Sequence, residues 1–475
     1  MFKKSLEQGR MPDEFKMATV VPIFKAGDKS EVSSYRPISV ISVIAKIFET
    51  IIKNKILDFF TQRSLFSCNQ YGFIPGRGID LAIEKHVSSI VNASDNYKYT
   101  VAVYLDFQKA FDVLDINVLL NKFEQYGFGG LALLWLKSFC MGRKPIVKIN
   151  NVISNPLELY FGTAQGGVLG PIMFLVYIND LLDLDIYSTV FAYADDTALV
   201  CSAYNKQTLQ FKIRKDLDKV SQWLSTNRLL INSSKSKSII FYDYHLTNEY
   251  LQKEFNLMCH KHQCIYDCTC SNIEVVDYVK YLGMYIDKRL KWDHHINFLS
   301  SKLRKVNYVL YHLKGFVGSD KLMNVYISWF ESLMRFGIIH YGGAYNYCLN
   351  SVIMNQRHAI RTIYSLKRMD RMSYLFREKN ILTFEQLHKY SIILYVAKFI
   401  YQFEFREINR ITRSSQQIHL KVPFLTKESS RHQFCYLGPR IYNDFLKWCG
   451  DRIIFEKKPK VKMKALEYLK NMPVD

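Results

Sequence analysis

The segment STVFAYADDTALVCS at 188–202 limits the folds open to this chain more than any other. Two short apolar runs, rich in β-branched and aromatic residues, flank two adjacent acids, and the pattern predicts a hairpin that exposes Asp195 and Asp196 at its tip. Neighbouring like charges in an otherwise apolar hairpin repel one another and resist desolvation, so a cation is what makes them tolerable. YTVAVYLDF at 99–107 reads as a buried strand, and KAFDVLDINVLLNKFEQYG then takes up helical periodicity until Gly127 ends it. Asp106 is therefore expected where a strand hands over to a helix. A lone Asp at a strand end is ordinarily a cap or a turn former. Three acids from neighbouring strands instead make an all-oxygen site that suits Mg²⁺ and would admit Mn²⁺. Two such ions about 4 Å apart would activate the attacking oxygen and stabilise the leaving oxygen of an in-line phosphoryl displacement. That chemistry is nucleotidyl transfer.

The charge distribution agrees. With 64 Lys and Arg against 43 Asp and Glu, the 475-residue chain carries a formal net charge of +21, which points to a polyanionic partner such as nucleic acid. Residues 1–300 hold 34 basic and 30 acidic residues, whereas 301–475 hold 30 and 13, so the excess lies in the C-terminal part. Residues 151–200 reverse the trend, with six acids (Glu158, Asp180, Asp183, Asp185, Asp195, Asp196) and no Lys or Arg. Asp183 and Asp185 read as acids of a solvated loop. The hydrophobic share of 49% is that of a folded protein, and the length allows two to four packing units. Ten cysteines are too sparse for a disulfide scaffold, and no signal peptide opens the chain, so an intracellular, reducing environment is expected. The longest apolar runs, such as VLGPIMFLVYI at 168–178, fall short of the roughly 18–20 residues that span a bilayer. No membrane partner is expected.

No internal repeat stands out. Residues 38–60 place apolar side chains at helical spacing, and NQYGFIPGRGID at 69–80 supplies Gly and Pro punctuation before the next helix. A helix is expected from about 205 to 230, and VDYVKYLGMYIDKRL at 276–290 reads as a strand pair. Beyond 290 the pattern is mainly helical and increasingly basic, with a polar break, TRSSQQ, at 412–417.

YLDFQKAFD at 104–112, GTAQGGVLGPIMFLVYINDL at 162–181 and YADDTAL at 193–199 resemble, in this order, the three catalytic motifs of the reverse transcriptases of non-LTR retrotransposons, particularly the jockey-like elements of arthropods. PIFKAGDKS (22–30), SYRPISV (34–40), QYGFIPG (70–76), INSSKSK (231–237), YLGMYIDKRLKWDHHI (281–296), HYGGAYN (340–346) and QRHAIRTIYSL (356–366) extend the resemblance over nearly the whole chain. It implies an α/β (α+β) right-hand polymerase fold with fingers and palm around an antiparallel sheet. By the same resemblance, residues 1–286 form the reverse transcriptase domain, 287–370 a helical thumb and 371–475 a basic C-terminal extension. It puts Asp106, Asp195 and Asp196 on the metal ions, with the Phe107 carbonyl as a further ligand. Phe111 stands at the steric-gate position, against the sugar where a 2′-hydroxyl would be, which implies deoxynucleotide substrates. Lys25 and Arg36 match residues that hold the triphosphate, a task suited to ammonium and guanidinium groups. Gln165 and Gly166 match the stretch beside the nucleotide sugar and base. Lys235 matches a general acid for the leaving pyrophosphate, with Lys237 close by as a rival. Tyr281, Leu282 and Gly283 match the primer grip.

The partners implied are an RNA template, a DNA primer, the RNA–DNA hybrid and dNTPs, with thumb basic residues tracking phosphates rather than reading bases. Cys259, His260, His262, Cys264, Cys268 and Cys270 crowd twelve residues, and such clusters invite a zinc reading. Their spacing is irregular and the C-x-C pair matches no standard finger, so the expectation is a loop with incidental thiols. The family's full-length protein carries an apurinic-type endonuclease ahead of the polymerase. Here about 20 residues precede PIFKAGDKS, so the expectation is a polymerase without that domain, and no recognisable ribonuclease H set of carboxylates is read after it. Two readings follow: an RNA-directed DNA polymerase, or a catalytically inactive or domesticated RNA-binding, maturase-like remnant that keeps the basic surface.

Overall fold

The computed structural model describes residues 1–96, 99–163, 166–241, 248–259, 272–367, 370, 372–406 and 419–472. The chain divides into two compact units. The first comprises Met1–His86, Tyr99–Ile240 and His245–Val276; the second comprises Val87–Lys98, Phe241–Tyr244 and Asp277–Asp475.

Two sheets organise the first unit. The smaller joins β1 (Met17–Phe24), β2 (Tyr35–Val40), β4 (Lys144–Ile149) and β5 (Val152–Ile153) in the order β2-β1-β4-β5, parallel between β1 and β4 and antiparallel elsewhere. The larger has the order β6-β7-β3-β8-β9, with β3 (Tyr99–Leu105) at its centre. Its other strands are β6 (Thr189–Tyr193), β7 (Asp196–Ala203), β8 (Lys237–Ile240) and β9 (Glu274–Val275). All its pairs are antiparallel except β8 with β9. β3 reads Y-T-V-A-V-Y-L and is buried from Thr100 to Leu105, as a central strand covered on both faces requires. The helix Lys206–Thr226 packs along β7 and β3 through Leu209, Ile213, Leu217 and Val220.

Two local expectations need correction. The helical pattern over 38–60 begins only at Val43, because Ser39 and Val40 pair with Val20 and Thr19 in the small sheet, and the helix runs Val43–Gln62. Asp106 likewise does not pass straight into a helix. Residues 108–115 form turns, with Lys109 in the left-handed region at φ +44°, and the helix Ile116–Gln125 starts where Asp115 accepts hydrogen bonds from the Asn117 and Val118 amides at 2.8 and 3.1 Å. The Asp115 N-cap immediately before Ile116 outweighs periodicity as a start signal.

The second unit is mainly helical, as expected beyond 290. Its segment from Asp277 opens with the hairpin β10 (Tyr278–Tyr281) and β11 (Met284–Asp287), followed by helices that include Asp293–Leu313, Asn346–Tyr364, Phe384–Lys398, Phe434–Cys449 and Lys458–Lys470. Thr383 and Gln386 form a reciprocal capping box on the helix Phe384–Lys398, and the Gln386 amide also donates to the Leu469 carbonyl at 2.9 Å. Asp95 receives the Thr426 and Lys427 amides at 2.9 and 3.0 Å. TRSSQQ at 412–417 lies outside the described residues. Among those described, no helix is long and apolar enough to cross a membrane.

Candidate active site

Strand register brings the acids together. Leu105, the last residue of β3, pairs with Thr197 of β7, so the next rung outward sets Asp106 opposite Asp196. β6 and β7 close on the pair Tyr193–Asp196, which leaves Ala194 and Asp195 as a two-residue turn with Ala194 at φ +56°. The adjacent acids sit at the hairpin tip, as the pattern predicted.

Each strand end is fastened from a different side. The Asp106 amide donates to Ser236 Oγ at 3.1 Å, the Asp106 carbonyl accepts from the Asn232 amide at 2.7 Å, and the Gln108 amide donates to the Leu230 carbonyl at 2.8 Å. These bonds flank a bridge between Phe107 and Ile231. Alternation along an extended chain therefore turns the Phe107 carbonyl away from this loop, to the β7 side of the strand. The hairpin is held by residues 69–72. The Tyr71 amide donates to the Ala192 carbonyl at 2.8 Å, the Ala192 amide donates to the Asn69 carbonyl at 3.0 Å, and Gln70 Oε1 accepts from the Gly72 and Ala194 amides at 2.9 and 3.1 Å. A Cβ on Gly72 would lie 2.6 Å from the Ala194 nitrogen. Sequence reasoning missed both clasps; the motifs QYGF and INSSKSK were visible, but nothing local says which atoms they reach.

The electrostatics show that the acids share one environment. Asp195 and Asp196 have exposed side chains, yet protein crowds them from one side, and this partial burial is the largest influence on both. It pushes Asp196 up to about 6, helped by the charges of Asp195 and Asp106. Asp195 is raised too, by burial and by Asp106, and is pulled back by the positive charges of Arg36 and Lys25. Lys25 and Arg36 are exposed on the small sheet, where Arg36 pairs with Ile23 and the Lys25 amide donates to the Ser34 carbonyl at 2.8 Å. Among the described residues no three Asp, Glu, His or Cys side chains converge closely enough to hold a metal ion as they stand. The donor set nonetheless fits one: hard carboxylate oxygens whose mutual repulsion a divalent cation would relieve, with open space for waters and substrate oxygens.

The remaining candidates fall into place around this centre or outside it. The Phe111 ring packs on Phe174 with centroids 4.9 Å apart, and its carbonyl accepts from the Thr163 amide at 2.9 Å. Gly166 lies at φ +110°, where a Cβ would come within 2.6 Å of the Ser39 carbonyl of β2. Beyond it the Val168 and Leu169 amides donate to the buried Glu49 carboxylate at 2.6 and 3.1 Å, which sets the entry of the helix Gly170–Ile178. Gln165 lies outside the described residues. Lys235 is exposed in the turn after Asn232, whereas Lys237 is tied to Glu274 and the Ser234 carbonyl. Tyr281, Leu282 and Gly283 belong to the second unit, where Leu282 (φ +47°) and Gly283 (φ +87°) make the tight turn of the β10–β11 hairpin. Of the cysteine cluster, Cys259 is buried with its Sγ 3.0 Å from Ser221 Oγ; His260, His262, Cys264, Cys268 and Cys270 lie outside the described residues.

Comparison with known proteins gives this geometry a family. The chain is 27% identical to a probable RNA-directed DNA polymerase from transposon BS of Drosophila melanogaster, over 79% of the chain and 41% of that protein. It is 26% identical to the RNA-directed DNA polymerase from mobile element jockey of the same species, over 76% of the chain and 39% of that protein. The chain thus spans about two fifths of the length of these curated relatives. Telomerase from Candida tropicalis, solved with a fragment of telomeric RNA, aligns over 98% of this chain and 65% of its own at 10% identity and a TM-score of 0.43. The family model for reverse transcriptase (RNA-dependent DNA polymerase) matches residues 24–286, a span that begins at the end of β1 and holds the five-stranded sheet and all three acids. The mixed helix-and-sheet architecture is accordingly that of a right-hand polymerase, and the chain belongs to the reverse transcriptase family.

Proposed function

We propose that the chain is an RNA-directed DNA polymerase that adds deoxynucleotides to a primer 3′-hydroxyl on an RNA template. The observation that carries this reading is the register placing Asp106, Asp195 and Asp196 at one end of the five-stranded sheet, where the charge of Asp106 bears on both hairpin acids and Lys25 and Arg36 reach Asp195 by charge. Two Mg²⁺ ions held by these three carboxylates and the Phe107 carbonyl would supply charge neutralisation at the attacking and leaving oxygens.

The chain's own residues do the rest. Lys25 and Arg36 bind and orient the triphosphate, and their exposure on the small sheet leaves them open to it. Phe111, braced by Phe174, closes the space that a 2′-hydroxyl would need, and Gly166 lets the backbone approach the sugar. Lys235 gives a proton to the departing pyrophosphate; Lys237 is engaged with Glu274, which favours Lys235 for that task. Tyr281, Leu282 and Gly283 hold the primer end, residues 287–370 act as the thumb, and the basic excess after residue 300 tracks the phosphates of the hybrid. The division into 1–286, 287–370 and 371–475 belongs to this reading.

Purified chain with primed poly(rA) and labelled dTTP tests it. Incorporation that requires Mg²⁺ and disappears in Asp195→Ala supports the polymerase. No incorporation, or incorporation unchanged by that substitution, overturns it and favours an RNA-binding remnant.

A further inference from the structure

Gln70 is wholly buried, a position where an apolar side chain would be the ordinary choice. What an apolar residue lacks is the amide oxygen, and here that oxygen accepts two main-chain hydrogen bonds, from Gly72 and from Ala194. Ala194 is the first residue of the turn that presents Asp195, and at φ +56° it holds a left-handed conformation that L-residues other than Gly, Asn and Asp adopt mainly when their surroundings impose it. Hairpin turns with positive φ at this place ordinarily use glycine. Without an acceptor on its amide, Ala194 would relax toward negative φ and carry the following acids with it.

We infer that Gln70 is a positioning residue for the nucleotidyl-transfer centre: its Oε1 holds the Ala194–Asp195 turn in the conformation that faces Asp195 and Asp196 toward Asp106. The inference rests on the polymerase reading of the site. Gln70 touches no reacting atom and acts only through the Ala194 amide. Gly72 completes the device, because its bare Cα is what lets residues 70–72 lie against Ala194.

The test is Gln70→Met, which keeps the volume and removes the acceptor. Mn²⁺ affinity is measured by electron paramagnetic resonance without nucleic acid, and kcat and the KM for dTTP on primed poly(rA). Loss of the acceptor is expected to weaken Mn²⁺ binding and to lower kcat by about tenfold or more, while KM stays within about twofold, since misplacement of catalytic groups without loss of substrate contacts has that signature. Adding Ala194→Gly to Gln70→Met is expected to restore most of kcat, because glycine adopts positive φ without support. Wild-type Mn²⁺ affinity and kcat in Gln70→Met would overturn the inference. So would a lowered melting temperature with no recovery in the double variant, which would make Gln70 a core residue only. If the wild-type chain itself incorporates nothing, the polymerase reading fails, and the Mn²⁺ titration still decides what Gln70 does.

Discussion

At the scale of single residues, the proposed roles of Phe111, Gly166 and Lys235 can be tested separately. Phe111 is packed by one neighbouring ring and is only partly covered, so truncating it opens space without emptying the core. Phe111→Val is expected to raise ribonucleotide incorporation relative to deoxynucleotide incorporation by roughly tenfold or more, the scale on which steric pockets discriminate, measured as a ratio of kcat/KM with UTP and dTTP. An unchanged ratio would remove Phe111 from the sugar. Gly166 has no such latitude: its positive φ and the Ser39 carbonyl beside it both reject a Cβ. Gly166→Ala is expected to cost roughly 1–3 kcal/mol of stability, read by denaturant unfolding, and to displace β2. Lys235 is proposed over Lys237 as the proton donor, since Lys237 already has its ion pair. Lys235→Ala should slow the chemical step in single-turnover extension while Lys237→Ala leaves it nearly unchanged.

At the scale of elements, the centre is a strand end and a hairpin tip, each held by a loop from elsewhere in the chain. Ser236, fully buried, takes the Asp106 amide and donates to the Asn232 carbonyl at 2.9 Å. Ser236→Ala leaves that amide without its acceptor, so a loss of about 1–3 kcal/mol is expected in urea unfolding, together with slower incorporation. β3 and the β6–β7 hairpin were legible in the sequence, because short apolar runs rich in β-branched and aromatic residues are strong local signals. Asp195 and Asp196 stood out for the same reason, as the acids that interrupt such a run. The bonds that aim them were not legible: Gln70 and Ser236 are ordinary polar residues in glycine- and serine-rich stretches, and their partners lie 124 and 130 residues away in the chain. The start of the helix after Asp106 was misplaced because apolar spacing continues across residues that in fact form turns, and the Asp115 cap decides the boundary.

At the scale of the whole molecule, the electrostatics make two predictions of opposite origin. The helical unit buries three histidines, His295, His340 and His388, and burial pushes them down to about 4, 3 and 4. His340 also feels the charge that either neighbour would carry, while Lys302 bears on His295, and Lys389 and Glu385 bear on His388. Unfolded histidines take up protons below about pH 6.5, and the folded ones do so only near 3 to 4. Their contribution to stability is thus complete above about pH 6.5 and is lost as pH falls from there toward 4. Melting of the chain should fall steeply between pH 7 and pH 5, and a flat profile would contradict the placement of these rings. The basic excess after residue 300 predicts that the logarithm of the affinity for an RNA–DNA hybrid falls linearly with the logarithm of salt concentration.

The three acids brought together by the β6–β7 turn and the β3 terminus are proposed to perform templated nucleotide addition. Extension of a DNA primer on an RNA of defined mixed sequence tests it most directly, with Asp106→Asn, Asp195→Asn and Asp196→Asn as partners. The expected result is a DNA product complementary to the RNA, made in the presence of Mg²⁺ and abolished by each substitution. A product that ignores the template, or one that survives loss of any of the three carboxylates, would contradict it.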